Sequence, residues 1–192
     1  TKARVEEAMK ALDFRPSVAA RILSGAKSNQ VALIYDNHSP YYMFQIQTGC
    51  WDVCRAKGIR LLAQPVDVAD PDVGDQVRGL VTETQVDGII LSSPVTDCEP
   101  VLKALIETGT ALEINTSGWR QRTGVPYPLP QAVHRYRELG GEYIVTGSDA
   151  HQPDWFAMNF DRARELLLDA GFEELATKRW KSAGEQWPIP TR

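Results

Sequence analysis

Val101-Leu102-Lys103-Ala104-Leu105-Ile106-Glu107-Thr108-Gly109-Thr110-Ala111-Leu112-Glu113-Ile114-Asn115 reads as a helix, a stop and a strand in one short run. Val101, Leu102, Leu105 and Ile106 recur at helical spacing. Gly109 takes the left-handed position that ends a helix, where a Cβ would clash, and the strand follows at once. The same unit repeats outward. Upstream, strands are expected at Val31 to Tyr35, Ile59 to Ala63 and Gly88 to Leu91, with Val73, Val77, Leu80 and Val81 marking an intervening helix. Downstream, Tyr143 to Thr146 reads as a strand and Phe160, Ala163, Leu166 and Leu167 as a helix, with Gly58 and Gly171 as further stops. Strands alternating with helices predict an α/β fold: a mostly parallel sheet of about five strands with helices on both faces. Two short helices, Arg4 to Leu12 and Val18 to Leu23, precede it, and the tail from Arg179 reads as irregular.

The chain has 192 residues, 43% hydrophobic and 24% charged, which is ordinary for a globular protein able to build one good core or two small ones. A net charge of −4 argues against a large nucleic-acid surface, although the first thirty residues run basic through Lys2, Arg4, Lys10, Arg15, Arg21 and Lys27. Cys50, Cys54 and Cys98 are odd in number and form no CxxC pair, which suits a reducing compartment; a cytoplasmic location is expected. Cys50 and Cys54, four apart beside Trp51, are expected to pack in a core. No apolar run is long enough to span a membrane, and Thr1-Lys2-Ala3-Arg4 is not a signal peptide.

Gly147-Ser148-Asp149-Ala150-His151 carries the most chemistry. A strand delivers Asp149 and His151 at its carboxyl end, the edge of an α/β sheet where ligand-binding groups collect. Carboxylate oxygen and imidazole nitrogen together suit zinc, manganese or iron, while a histidine after a strand also serves purely structural ends. Only His38, His134 and His151 exist in the chain, so a multi-histidine centre is short of ligands. His134 falls on an amphipathic helix, Pro130 to Leu139, where solvent exposure is expected. Glu113 and Asn115, two apart on one strand, point to the same side. No Walker loop, GxGxxG or Ser-His-Asp order is present.

The run Arg4-Val5-Glu6-Glu7-Ala8-Met9-Lys10-Ala11-Leu12-Asp13-Phe14-Arg15-Pro16-Ser17, then Ala20-Arg21-Ile22-Leu23 and Gln30-Val31-Ala32-Leu33-Ile34, resembles the lactose/galactose-repressor family. The likeness continues through Asn37-His38-Ser39-Pro40-Tyr41-Tyr42, Gly58-Ile59 and Val86-Asp87-Gly88-Ile89-Ile90-Leu91 to the helix ending at Ile106. It implies the last headpiece helix and the hinge helix in residues 1–29. It also implies the first subdomain of a periplasmic-binding-protein-like effector domain in 30–106. By position Leu23 matches the hinge leucine that wedges into the DNA minor groove, and Arg21 precedes it in a helix suited to phosphate contact; core packing of Leu23 is the alternative. The loop Asp36 to Tyr42 is expected to border a ligand crevice, with Asp36, Asn37, Tyr41 and Tyr42 meeting a sugar or purine effector. The recognition helix is not in this sequence, which argues against specific DNA readout.

From Ala111 the text changes. Leu112-Glu113-Ile114-Asn115-Thr116-Ser117-Gly118-Trp119-Arg120, Pro126-Tyr127-Pro128, Arg135-Tyr136-Arg137-Glu138-Leu139-Gly140-Gly141-Glu142, Gly147 to His151 and Leu168-Asp169-Ala170-Gly171-Phe172 together resemble the end of a histidinol-phosphatase of the polymerase-and-histidinol-phosphatase (PHP) family. That resemblance implies a distorted β/α barrel in which divalent ions activate water and clamp phosphate. It makes Asp149 and His151 metal ligands and places Arg120, with Asn115 and Glu113, against a phosphorylated metabolite. The family's early His-x-His, its middle Glu and its further histidines are not found in residues 1–110, so the metal site is incomplete in one chain.

The expected organisation is a hybrid: repressor-like to about residue 106, PHP-like over 107–192, keeping one βα rhythm and continuing one sheet across the join, and without complete repressor or phosphatase activity. A metal-dependent phosphoesterase of histidinol-phosphatase type and an effector-sensing or DNA-associating regulator fragment are the other readings, and a homo-oligomer is compatible with all three. An engineered chimera, a natural fusion and an assembly artefact would each produce such a sequence.

Overall fold

A computed structural model describes residues 2–12, 27–36, 39–176 and 186–188. Arg21, Leu23, Asn37, the second expected amino-terminal helix and most of the tail lie outside the described residues. In chain order the elements are α1 (Lys2–Ala11), β1 (Gln30–Asp36), α2 (Pro40–Ala56), β2 (Arg60–Val66), α3 (Val73–Thr84), β3 (Gly88–Leu91), α4 (Glu99–Glu107), β4 (Leu112–Asn115), α5 (Pro130–Glu138), β5 (Ile144–Gly147), α6 (Phe160–Asp169), β6 (Glu174–Ala176) and β7 (Gln186–Pro188).

The α/β class with parallel strands follows the sequence reading. β1 is a near-continuous apolar run because both of its faces are covered. Ala32 and Ile34 join a core with Val73 and Val77 of α3 and Val101 and Ala104 of α4, while Leu33 and Tyr35 meet Met43 of α2 on the other face. β1 lies between β2 and β3, pairing Gln30 with Arg60 and Val31 with Gly88, both in parallel.

The sheet itself differs from expectation. The five parallel strands do not form one sheet; they divide into β2-β1-β3 and β4-β5. The reason is visible at the outer edge of β4. The Asn115 N–H donates to the Tyr127 carbonyl at 2.7 Å and the Tyr127 N–H donates back at 3.1 Å, so the segment after the Thr116–Arg120 turn occupies an edge that β3 would otherwise take. Helices flank both faces of the first sheet only. On the second, Leu112, Ile114 and Ile144 turn inward onto α5 and α6, and Glu113 and Asn115 lie on the less buried face. Two further details differ: Gln186–Pro188, within the tail expected to be irregular, forms an antiparallel strand with β6, and the helix after β1 begins at Pro40, so Tyr41 and Tyr42 stand in its first turn rather than in a loop.

Continuity across the expected join comes from α4. Its Val101 and Ala104 belong to the core under the first sheet, and its Leu102 and Leu105 belong to the core under the second, with Ala132, Val133 and Tyr136 of α5 and Ala163 and Leu167 of α6. A helix with apolar residues at i, i+1, i+3 and i+4 presents a stripe wide enough to wall two cores. Gly74 lets α3 approach closely, since a Cβ there would lie 2.8 Å from the Pro100 carbonyl oxygen. Outside, Arg78 of α3 pairs with Glu107 at 2.7 Å and Arg135 of α5 with Glu99 at 3.0 Å, exposed contacts that fix register more than they stabilise. No helix among the described residues is long and apolar enough to cross a membrane.

Candidate functional site

The carboxyl ends of β4 and β5 lie side by side because Asn115 pairs with Gly147 in the parallel register. Each strand then turns sharply. After β4, the Asn115 side-chain oxygen accepts the Ser117 N–H at 2.9 Å and starts the tight turn Thr116–Arg120. After β5, Ser148 is buried and its hydroxyl oxygen accepts the Ala157 N–H at 3.1 Å. Asp149 adopts a left-handed backbone, φ 48°, a conformation that aspartate tolerates better than most residues. Thr116 ties the two loops together by donating to the Met158 carbonyl at 2.7 Å.

This scaffold gathers five of the expected site residues, Glu113, Asn115, Arg120, Asp149 and His151. The Arg120 guanidinium donates through Nη2 to the Asp149 carbonyl oxygen at 3.1 Å and stacks 4.9 Å from the centre of the Trp155 ring. Its Nη1 is buried without a partner. His151 Nδ1 lies 2.9 Å from the same carbonyl oxygen, which can only accept; Nδ1 therefore carries the hydrogen and, in the neutral ring, Nε2 keeps the lone pair. The His151 ring and Asp149 carboxylate are 3.7 Å apart at Nδ1 and Oδ1, and the imidazole is largely exposed. Glu113 reaches over β5 because Gly147 has no side chain: a Cβ there would lie 2.6 Å from Glu113 Oε1. Although solvent touches Glu113, the backbone under it strips part of its hydration and pushes its carboxyl pKa up, with the Asp149 charge adding to the rise.

That rise has a measurable sign. A carboxyl whose folded pKa is raised costs nothing below its unfolded pKa, where it is protonated in both states, and costs most above its folded value. Glu113→Gln is expected to raise the melting midpoint modestly at pH 7 and to leave it unchanged at about pH 3. An equal shift at both values in paired melting curves contradicts the assignment.

The other expected residues are elsewhere. Asp36 ends β1, where its carboxylate accepts the Val68 N–H at 3.0 Å and ties β1 to the loop before α3. Tyr41 and Tyr42 are exposed on α2. His134 is 3.3 Å from Asp169, linking α5 to α6. Among the described residues, no group of three or more His, Cys, Asp or Glu side chains is placed to hold a metal ion. With two donors and one histidine nitrogen engaged internally, the residues present do not fit a closed divalent centre. Sequence reasoning missed Trp155, Gly147 as the seat of Glu113, and Thr116; of these only Gly147, the first residue of the motif, carried a signal.

No family model matches the chain. Part of it is similar to probable histidinol-phosphatases: that of Deinococcus radiodurans is 40% identical over 63 residues, covering 33% of this chain and 24% of the relative. That of Thermotoga maritima is 36% identical over 78 residues, 41% of this chain and 33% of the relative. Catabolite control protein A of Staphylococcus aureus, a LacI-family protein, is 31% identical over 194 aligned positions, 96% of this chain and 55% of the relative. The chain carries both resemblances. It spans between 24% and 55% of the length of these relatives. The repressor alignment covers 96% of this chain and so runs past residue 106 into the second sheet; it does not mark the expected boundary.

Proposed function

We propose that the chain is a hybrid α/β protein in which a repressor-like unit, 30–106, and a PHP-like unit, 107–192, share one fold, and that it has neither complete phosphatase nor complete repressor activity. The observation that carries this reading is the arrangement at the ends of β4 and β5, where Asp149 and His151 stand as a two-donor half-site whose surroundings are committed to structure: Arg120 to the Asp149 carbonyl and Trp155, and Gly147 to Glu113. A water-activating two-metal centre needs more ligands than this pair supplies. Zinc, manganese or iron would meet one carboxylate and His151 Nε2, an open site of low affinity. Free Cys50, Cys54 and Cys98 fit the cytoplasmic location expected from their number.

The test is phosphate release from histidinol phosphate with manganese or zinc added, comparing the chain with Asp149→Ala and His151→Ala. Release is expected to be indistinguishable from buffer in all three. Turnover by the chain that both substitutions abolish would establish the phosphoesterase reading instead.

Self-association is supported by a separate observation. Tyr41, Phe44 and Trp51 are exposed along one side of α2, with Arg55 stacked on Trp51, and this stripe suits a homo-oligomer contact.

A further inference from the structure

The division between β3 and β4 leaves a cleft of about 490 Å3. That size falls in the range of small-molecule sites. Its walls come from both halves of the chain: Ile89 and Ile90 of β3, Leu105 of α4, Leu112 and Glu113 of β4, and the Tyr127 segment at one end.

Backbone polarity sets the chemistry of these walls. Successive residues of a strand turn their N–H and C=O groups to opposite neighbours. The Ser92 N–H donates to the Ile34 carbonyl at 3.1 Å, so Ile90, two residues earlier, also faces β1 and Ile89 faces the cleft. Likewise the Leu112 N–H donates to Tyr143 at 2.9 Å, which turns Leu112 to β5 and Glu113 to the cleft. Asn115, the next residue of that parity, is taken by Tyr127. Two strand edges that would pair in a continuous sheet thus face each other across an aliphatic-walled space, each offering a backbone donor and acceptor. Glu113 is the charged residue on the lining, and its carboxyl sits near that of Asp149, so the site disfavours an anion.

We propose that this cleft binds a compact, neutral, amide-bearing molecule with an apolar side group, which places its amide edges on the Ile89 and Glu113 backbones and its apolar group against the exposed side chain of Ile90. The cleft is lined by neither Asp149 nor His151 and meets the half-site only through the charge of Asp149 near Glu113.

The probe is N-acetyl-L-leucinamide, with N-acetyl-L-leucinate as the shape-matched anion, titrated into the isotope-labelled chain. Saturable shifts centred on the Ile89 and Glu113 amides are expected, with slowed exchange of both and affinity for the anion weaker by about tenfold or more, or about 1.4 kcal/mol. Ile90→Trp, at a wall position 41% exposed and so tolerant of size, is expected to abolish the shifts. Equal binding of amide and anion, shifts scattered over the surface without saturation, or Ile89 and Glu113 amides already protected in the free protein would each overturn the proposal.

Discussion

Leu102→Ala is expected to lower the stability of the whole chain by about 3 kcal/mol, within one cooperative transition. Leu102 is 1% exposed and lies in the core formed by β4, β5, α5 and α6. Truncation removes its transfer energy and leaves a cavity, because the site is walled by Ile114, Val133 and Ile144, all fully buried, which cannot all move inward together. The consequence extends beyond that core. Val101 and Ala104 on the same helix belong to the first core, and Ile89 and Leu91 of β3 pack against both. A shift of α4 toward the cavity therefore loosens contacts on either side of the join. Two transitions in a denaturant melt of Leu102→Ala would mean that α4 is a linker between separate folding units.

Gly118→Ala is the second large effect, expected to cost about 2–3 kcal/mol. Gly118 is buried in the turn after β4, and a Cβ there would collide with the Val125 carbonyl oxygen and the Tyr127 ring. The collision with backbone oxygen cannot be relieved by a rotamer change, so the segment 121–127 must move. That segment holds the outer edge of β4 through the Asn115–Tyr127 pair, and Arg120 leaves the same turn to reach Asp149. The substitution should therefore disturb the Asp149–His151 loop as well as the melting midpoint, read as shifted His151 ring resonances. An unchanged midpoint with unchanged His151 signals would show that the turn accommodates a side chain.

What the sequence disclosed depended on how local each feature was. Helical spacing in Val101, Leu102, Leu105 and Ile106 and the stop at Gly109 gave α4 and β4, because periodicity and a left-handed glycine are properties of consecutive residues. The placement of Glu113 and Asn115 on a common face, and of Asp149 and His151 after a strand, were legible on the same grounds. Strand order was not. Whether β4 pairs with β3 or with the chain at Tyr127 turns on a contact between residues twelve apart, Asn115 and Tyr127, that no spacing rule encodes. The partners of Arg120 were hidden for the same reason: Trp155 and the Asp149 carbonyl come from a loop after another strand. The sequence places Tyr41 and Tyr42 in the loop that follows the first strand, yet proline at the first helical position begins α2 at Pro40.

Through Val101 and Ala104 in one core and Leu102 and Leu105 in the other, α4 makes the two halves one structure. Native-state amide exchange in Leu102→Ala, against the unsubstituted chain, tests it residue by residue. If the cores are coupled, the amides of Leu33 and Ile34 in β1 lose as much protection as that of Ile144 in β5. Lost protection confined to β4, β5, α5 and α6, with β1 unchanged, would contradict the claim and leave two units that merely adjoin.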